Sequence, residues 1–127
     1  MDEKEKLKRF SRQLERILAE LKKSVVFVEG IKDKQALGKF GICEVLTISG
    51  NLRLSCMAAS EKGVKKVVIL TDNDERGDEL AREAEQELTR YGIKFDAETR
   101  KTLGTILDMR NIENLENKYR KFLEKIM

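Results

Sequence analysis

Two apolar runs that end in acidic residues and glycine constrain the fold of this chain more than any other feature. They are the segments Val25-Val26-Phe27-Val28-Glu29-Gly30 and Val67-Val68-Ile69-Leu70-Thr71-Asp72-Asn73-Asp74-Glu75-Arg76-Gly77. Each begins with four apolar, mostly β-branched residues, the pattern of a strand buried on both faces of a parallel sheet. Ligands of an open parallel α/β sheet bind beyond the carboxyl ends of its strands. The sequence therefore predicts that Glu29, Asp72 and Asp74 converge at one mouth of the sheet.

Strands and helices alternate along the rest of the chain. Apolar runs predict strands at 24–29, 44–48, 66–71 and 93–95. Helical spacing of apolar residues predicts helices at 3–22, 31–40, 52–63, 77–91, 99–107 and 111–126. This alternation is typical of an α/β fold, an open parallel four-stranded sheet with helices on both faces. Residues 1–127 are predicted to form one domain, with a core of about 24–95 and flanking N- and C-terminal helices.

The composition excludes several chemistries. The chain has no His, so His-based catalysis and the usual zinc ligands are absent. Cys43 and Cys56 lack the spacing of a metal-binding pair and are predicted to be buried free thiols. There is no apolar run of membrane-spanning length and no signal-peptide segment, which predicts a cytoplasmic protein. The net charge of +3 is a mild basic bias.

The acidic cluster predicts a divalent-metal site. Three neighbouring carboxylates repel one another unless they are protonated or bridged by a cation. Mg²⁺ prefers one or two carboxylates together with waters and phosphate oxygens, and Mn²⁺ is expected to substitute for it. Asp72 and Asp74 are two residues apart, so an extended backbone directs both towards the same side. The alternative is that Asp74 only caps the following helix and Asp72 is a solvated loop acid.

Basic residues and a turn near the same mouth predict phosphate binding. Gly50 and Asn51 end the second strand, where successive N–H groups can form an anion-binding nest. Lys32, Arg53 and Arg76 each follow a strand end and are candidates to contact a phosphate. An ordinary turn and solvated basic side chains are the alternative interpretation.

The chain resembles a Toprim domain, the module of bacterial primases, topoisomerases and ribosomal-RNA maturation nucleases. Such domains carry an apolar strand ending in Glu-Gly, as at Glu29-Gly30, and a later strand ending in Asp-x-Asp-x-x-Gly, as at Asp72, Asp74 and Gly77. The flanking helices resemble those of small stand-alone archaeal Toprim proteins. The resemblance implies that the Asp pair holds Mg²⁺. It also implies that Glu29 is the acid or base, or a further metal ligand, in phosphodiester chemistry.

Two functions are compatible with this resemblance. The first is Mg²⁺-dependent phosphodiester cleavage or transfer on RNA or DNA, a nuclease-like activity with Glu29 as the catalytic residue. The second is a non-catalytic adaptor that binds nucleic acid or a ribonucleoprotein. Nucleic acid is the expected partner in both. The apolar stripes of the two terminal helices are compatible with an internal helix pair, with a homodimer, or with assembly into a larger nucleic-acid-processing complex.

Overall fold

The computed structural model describes residues 1–127. The chain folds into a four-stranded, fully parallel sheet with helices on both faces. The strands are β1 Val25–Val28, β2 Val45–Thr47, β3 Lys66–Ile69 and β4 Lys94–Asp96. Their order across the sheet is β2-β1-β3-β4. The predicted α/β class and parallel sheet are therefore confirmed. The two strands that carry the acidic motifs are neighbours, with Phe27 opposite Ile69.

Six α-helices connect or flank the strands. They are α1 Glu3–Lys22, α2 Ile31–Gly38, α3 Leu52–Glu61, α4 Glu75–Arg90, α5 Thr99–Leu107 and α6 Leu115–Ile126. The bounds of α1 and α5 agree with the predicted ones. The fourth helix begins earlier than predicted because Asp74 is its N-cap residue. None of the six combines the length and the apolar character that crossing a membrane requires.

Alternate side chains of the central strands enter two separate cores. Val26 and Val28 pack into a core shared with α1, α2, α5 and α6, whereas Phe27 packs into a second core with α3 and α4. This alternation follows from the two-residue repeat of a strand. Burial of each such side chain contributes about 1.5–3 kcal/mol to the free energy of unfolding. Packed helices cover both faces of the sheet. The carboxyl ends of the strands are left as the place for a polar site.

The terminal helices pair within the chain. Helix α1 packs against both α5 and α6 on the same face of the sheet. Leu14 and Leu21 of α1 and Phe122 of α6 are buried in that core. Their apolar stripes therefore form the internal pair that was one of the expected arrangements.

Two local predictions are wrong. The last helix does not begin at residue 111, because Asn111 is extended and Ile112–Asn114 forms a 3₁₀ turn before α6. The N–H of Ile112 donates to the Asp72 carboxylate, outside its own helix. Cys43 is exposed, because β2 begins only at Val45 and leaves this thiol in the preceding loop. Cys56 is a buried free thiol as predicted, and burial, assisted by the charge of Glu87, raises its pKa to about 11.

Candidate metal and nucleic-acid site

Glu29 and Asp72 meet because β1 and β3 are adjacent parallel strands. The backbone N–H of Asp72 donates to Oε2 of Glu29 over 2.8 Å, so the side chain after one strand holds the backbone after the other. The second oxygen of Glu29 accepts no hydrogen bond from the protein. A carboxylate is thereby fixed at the mouth of the sheet with one oxygen still available.

The Asp72 side chain is held from the opposite direction. Its Oδ1 accepts the N–H of Ile112 over 2.9 Å. Burial raises the pKa of Asp72 to about 6, the Ile112 hydrogen bond partly opposes this, and the charges of Glu29, Asp33 and Asp74 raise it further. Four carboxylates therefore influence one another at this mouth. Their repulsion is what a bound cation would relieve.

Asp74 caps α4. Its Oδ1 accepts the N–H of Gly77 over 2.7 Å, which satisfies one of the unpaired donors at the start of the helix. The other oxygen of Asp74 accepts no hydrogen bond from the protein. Capping therefore accounts for one oxygen of this side chain and leaves the second for another ligand.

Asp33 is a member of the acidic group that the sequence pattern did not single out. Its side chain is only 7% exposed, and Oδ2 accepts the N–H of Gly30 over 3.1 Å. Burial raises its pKa, the Gly30 hydrogen bond lowers it, and the negative charges of Glu29 and Glu113 raise it again. The signal in the sequence was the three-residue spacing from Gly30 at the start of a helix, which is typical of a cap and carries no indication of a site.

A cleft of about 400 Å³ opens beside these carboxylates. Its lining residues are Glu29, Gly30, Ile31, Lys32, Asp33, Ser49, Asp72, Arg76, Asn111 and Glu113. Lys32 and Arg76 are the basic members, and Nη2 of Arg76 donates to Oγ of Ser49 over 3.4 Å. The cleft thus places two cations beside the paired carboxylates Glu29 and Asp72, as phosphate recognition requires.

Three of the predicted phosphate contacts lie outside this lining. Gly50 has a φ of +70° and forms the turn after β2. Asn51 precedes α3 without a side-chain capping bond, and Arg53 is exposed on the first turn of that helix. Asp74 also lies outside the lining, although its charge acts on Asp72. Within the cleft the structure therefore brings together Glu29, Asp72, Lys32 and Arg76.

Arg100 braces the loop that carries the aspartates, and sequence reasoning missed it. The side chain is 2% exposed, Nε donates to the carbonyl of Thr71 over 3.1 Å, and Nη2 donates to the carbonyl of Asp72. Nη2 also pairs with Oδ1 of Asp78 over 2.9 Å. In return, the side-chain amide Nδ2 of Asn73 donates to the backbone carbonyl of Arg100 over 2.9 Å. Helix α5 therefore fixes the backbone of the Asp-x-Asp motif.

Gly77 permits the tight turn between β3 and α4. A β-carbon at this position would lie 1.9 Å from the carbonyl oxygen of Asp72. The Gly77 carbonyl itself accepts the hydroxyl of Thr71 over 2.7 Å. The glycine of the motif is thus required by close backbone approach.

The donor set fits an ion that completes its shell with water or substrate. No three Asp, Glu or Cys side chains surround one point that could hold a metal ion. Glu29, Asp72 and Asp74 nevertheless each have one oxygen fixed by a backbone N–H and one without a protein partner. Mg²⁺ usually binds through one or two carboxylates plus waters and phosphates. The residues present fit that kind of site and not an all-protein cage.

The fold and the two acidic motifs define a class of domain. A family model for the Toprim domain matches residues 24–101, which is more than half of the chain. The chain therefore belongs to the Toprim domain family, a metal-binding, nucleic-acid-related fold. The resemblance inferred from the two motifs is confirmed.

Particular relatives are small archaeal proteins. The UPF0292 protein of Pyrococcus abyssi is 40% identical over 97 residues, covering 74% of this chain and 73% of its own. The UPF0292 protein of Thermococcus onnurineus is 37% identical over 122 residues, covering 94% and 90%. A solved structure of a protein from Aquifex aeolicus matches with a TM-score of 0.69 at 31% identity, covering 80% of this chain and 96% of that one. The two archaeal matches agree with the expected likeness to small archaeal Toprim proteins.

Proposed function

We propose that the chain cleaves phosphodiester bonds of nucleic acid in an Mg²⁺-dependent, nuclease-like reaction at the cleft beside Glu29 and Asp72. One observation carries the proposal. Two carboxylates from adjacent parallel strands are locked by backbone N–H groups, each with one oxygen unused, in a cleft that also holds Lys32 and Arg76. This combination suits an anionic substrate that arrives with a cation.

Each side chain has a distinct role in this reaction. Asp72 and Asp74 would hold the ion through their unpaired oxygens, and Mg²⁺ bound there would neutralise charge on the scissile phosphate. Lys32 and Arg76 bind non-bridging phosphate oxygens and orient the substrate. Gly50, Asn51 and Arg53 contact the strand as it leaves the cleft. Water forms the new bond to phosphorus as the bond to the leaving oxygen breaks, and Glu29 donates a proton from Oε1 to that oxygen. Oε1 can reach the substrate without breaking the hydrogen bond at Oε2.

A non-catalytic adaptor is the second candidate, and a specific observation favours it. The same three carboxylates have structural tasks: Glu29 holds Asp72, Asp72 holds Ile112, and Asp74 caps α4. No group of three acids is arranged as a metal cage. The acids would then shape a surface that binds nucleic acid or a ribonucleoprotein without cleaving it.

The deciding experiment incubates labelled RNA and DNA with the protein in Mg²⁺, in Mn²⁺ and in a chelator. General acid–base catalysis contributes about 10²–10⁴-fold. Glu29→Gln is therefore expected to slow cleavage by about that factor while binding of nucleic acid persists. The matched control is Glu61→Gln, which removes one charge at the exposed end of α3. Undiminished cleavage by Glu29→Gln excludes Glu29 from the reaction, and no cleavage with any divalent ion leaves the adaptor function.

A further inference from the structure

A groove of about 670 Å³ lies between α1 and the start of α5, apart from the acidic cleft. Its α1 wall carries Arg9, Arg12 and Arg16, spaced three and four residues apart along one face of the helix. Thr99 and Thr102 of α5 form part of the opposite wall. At about 1.5 Å per residue, the three guanidinium groups are distributed over roughly 10 Å of helix.

None of these arginines has an ion-pair partner within the protein. The four ion pairs of the structure involve Lys39, Lys62, Arg90 and Arg100. The groove does contain Asp96, but its carboxylate accepts two backbone N–H groups and the hydroxyl of Thr99. Glu20 and Glu98 line the groove without forming an ion pair. The lining therefore carries three acidic and three basic side chains, but the positive charge is concentrated on the α1 wall, where the three arginines follow one another along one face of the helix without an ion-pair partner.

The positive surface continues on both sides of the groove. A second cavity of about 500 Å³ beyond Arg12 is lined by Lys4, Lys8 and Lys125, which also lack ion-pair partners. In the other direction, Lys101 lies beside Thr102 on α5 and faces a cavity of about 420 Å³ that also includes Arg110 and Asn73.

Asn73 connects this surface to the proposed reaction site. It is the residue between Asp72 and Asp74, and its amide is bonded to the Arg100 carbonyl of α5. The edge from Glu98 along α5 to Thr105 is roughly 10 Å long at about 1.5 Å per residue. It runs from the arginine groove, which Glu98 lines, to the cavity that Thr105 shares with Asn73. A strand of duplex nucleic acid places about three phosphates over that distance, at about 3.4 Å each.

We infer that the α1–α5 groove, defined by Arg9, Arg12 and Arg16, is a second binding surface for the sugar–phosphate backbone of the nucleic acid whose scissile phosphate enters the acidic cleft. This inference rests on the proposed function. Guanidinium groups bind phosphate in bidentate geometry, and a row of three over roughly 10 Å matches a polyanion better than one small anion. The groove recognises backbone charge and gives no base specificity.

The test compares binding of labelled single strands of about 5 and about 20 nucleotides, as RNA and as DNA, by fluorescence anisotropy in Ca²⁺, a divalent ion that also takes oxygen ligands. The variant is Arg9→Ala/Arg12→Ala/Arg16→Ala. The matched control, Lys62→Ala/Lys65→Ala/Lys94→Ala, removes the same charge near the amino ends of β3 and β4. A second variant, with all three arginines changed to Lys, keeps the charge if the alanine protein is unstable.

The logarithm of the binding constant falls with the logarithm of the salt concentration, with a slope of about 0.7 for each phosphate contact to a single strand. Loss of three contacts should therefore lower this slope by about 2. Counterion release then corresponds to a loss of about 10²-fold in affinity for the long strand at 0.1 M salt. The short strand, which the acidic cleft can hold alone, should bind as before. The lysine variant should retain most of the salt slope, and the control should bind like wild type.

The inference is overturned if the triple Arg→Ala variant binds the long strand as tightly as wild type. It is also overturned if the Lys62→Ala/Lys65→Ala/Lys94→Ala control loses as much affinity as that variant. Equal losses for short and long strands also overturn it, because the groove would then not be a separate contact. Failure of the proposed function looks different: the wild type would bind long strands through the arginines yet cleave nothing in Mg²⁺ or Mn²⁺. Conversely, cleavage of short strands with no effect of the arginine changes retains the reaction and removes the groove.

Discussion

Replacement of Arg100 by Met tests whether α5 holds the aspartate loop in place. Met has a similar length and no donors, so the Thr71 and Asp72 carbonyls lose this partner. A buried polar group left without its bond costs about 1–3 kcal/mol, which for two carbonyls is about 2–6 kcal/mol. Asp78 adds little, because its side chain is 48% exposed and regains water. We expect a total loss of about 3–5 kcal/mol, which is the middle of the range for two unsatisfied carbonyls.

Urea unfolding followed by circular dichroism measures this loss. With a slope of about 2 kcal/mol/M, the unfolding midpoint should fall by about 1.5–2.5 M. The unfolding midpoint of Arg100→Lys should lie between those of wild type and Arg100→Met, since an ammonium can reach one acceptor but cannot bridge two carbonyls as a guanidinium does. Lys101→Met is the matched control, one residue away and exposed, and should change stability by about 0.5 kcal/mol or less. A loss below about 1 kcal/mol for Arg100→Met would refute the reasoning, because the three hydrogen bonds would then be incidental.

Three further changes probe the loop and its acids. Gly77→Ala should destabilise the protein by more than about 2 kcal/mol in the same urea assay, because its β-carbon would lie 1.9 Å from the Asp72 carbonyl oxygen. The control Gly38→Ala should be neutral or stabilising, because no atom lies within 4 Å of the added β-carbon. Similar effects of the two substitutions would contradict a close backbone approach at Gly77. Folding raises the pKa of Asp72 from 3.8 to about 6. Without divalent ions, the stability that the protonated Asp72 contributes is therefore full below pH 3.8 and is lost as the pH rises through about 6. The free energy of unfolding should fall by at most about 3 kcal/mol over this range. Asp72→Asn should flatten that part of the stability–pH curve, and a curve unchanged by the substitution would show that burial does not perturb this group. Calorimetric titration with Mn²⁺ should show weaker binding for Asp72→Asn and Asp74→Asn than for the exposed control Asp108→Asn, and equal affinity in all three would remove the metal site.

The sequence predicted what depends on local pattern and on sheet geometry. Glu29 and Asp72 could be expected to meet, because each ends a buried strand and adjacent parallel strands present their carboxyl ends together. The sequence did not reveal Arg100 or Ile112, which reach the loop from 28 and 40 residues away. In a chain that is 39% charged, an arginine on a helix looks like any solvated residue until tertiary packing buries it. Asp33 was not predicted to join the site for a different reason, since an acid in the first turn of a helix ordinarily only favours the helix N-terminus.

In the proposed reaction, the hydrogen bond from the Asp72 N–H to Oε2 of Glu29 gives one side chain two tasks, a structural one for Oε2 and a chemical one for Oε1. Truncation to Ala removes both tasks at once, so a dead Ala variant says nothing about chemistry. Gln keeps a carbonyl oxygen that can accept the same N–H while losing the ionisable proton. The difference between the Ala and Gln proteins, in unfolding free energy and in turnover, therefore separates the architectural contribution of position 29 from its chemical one.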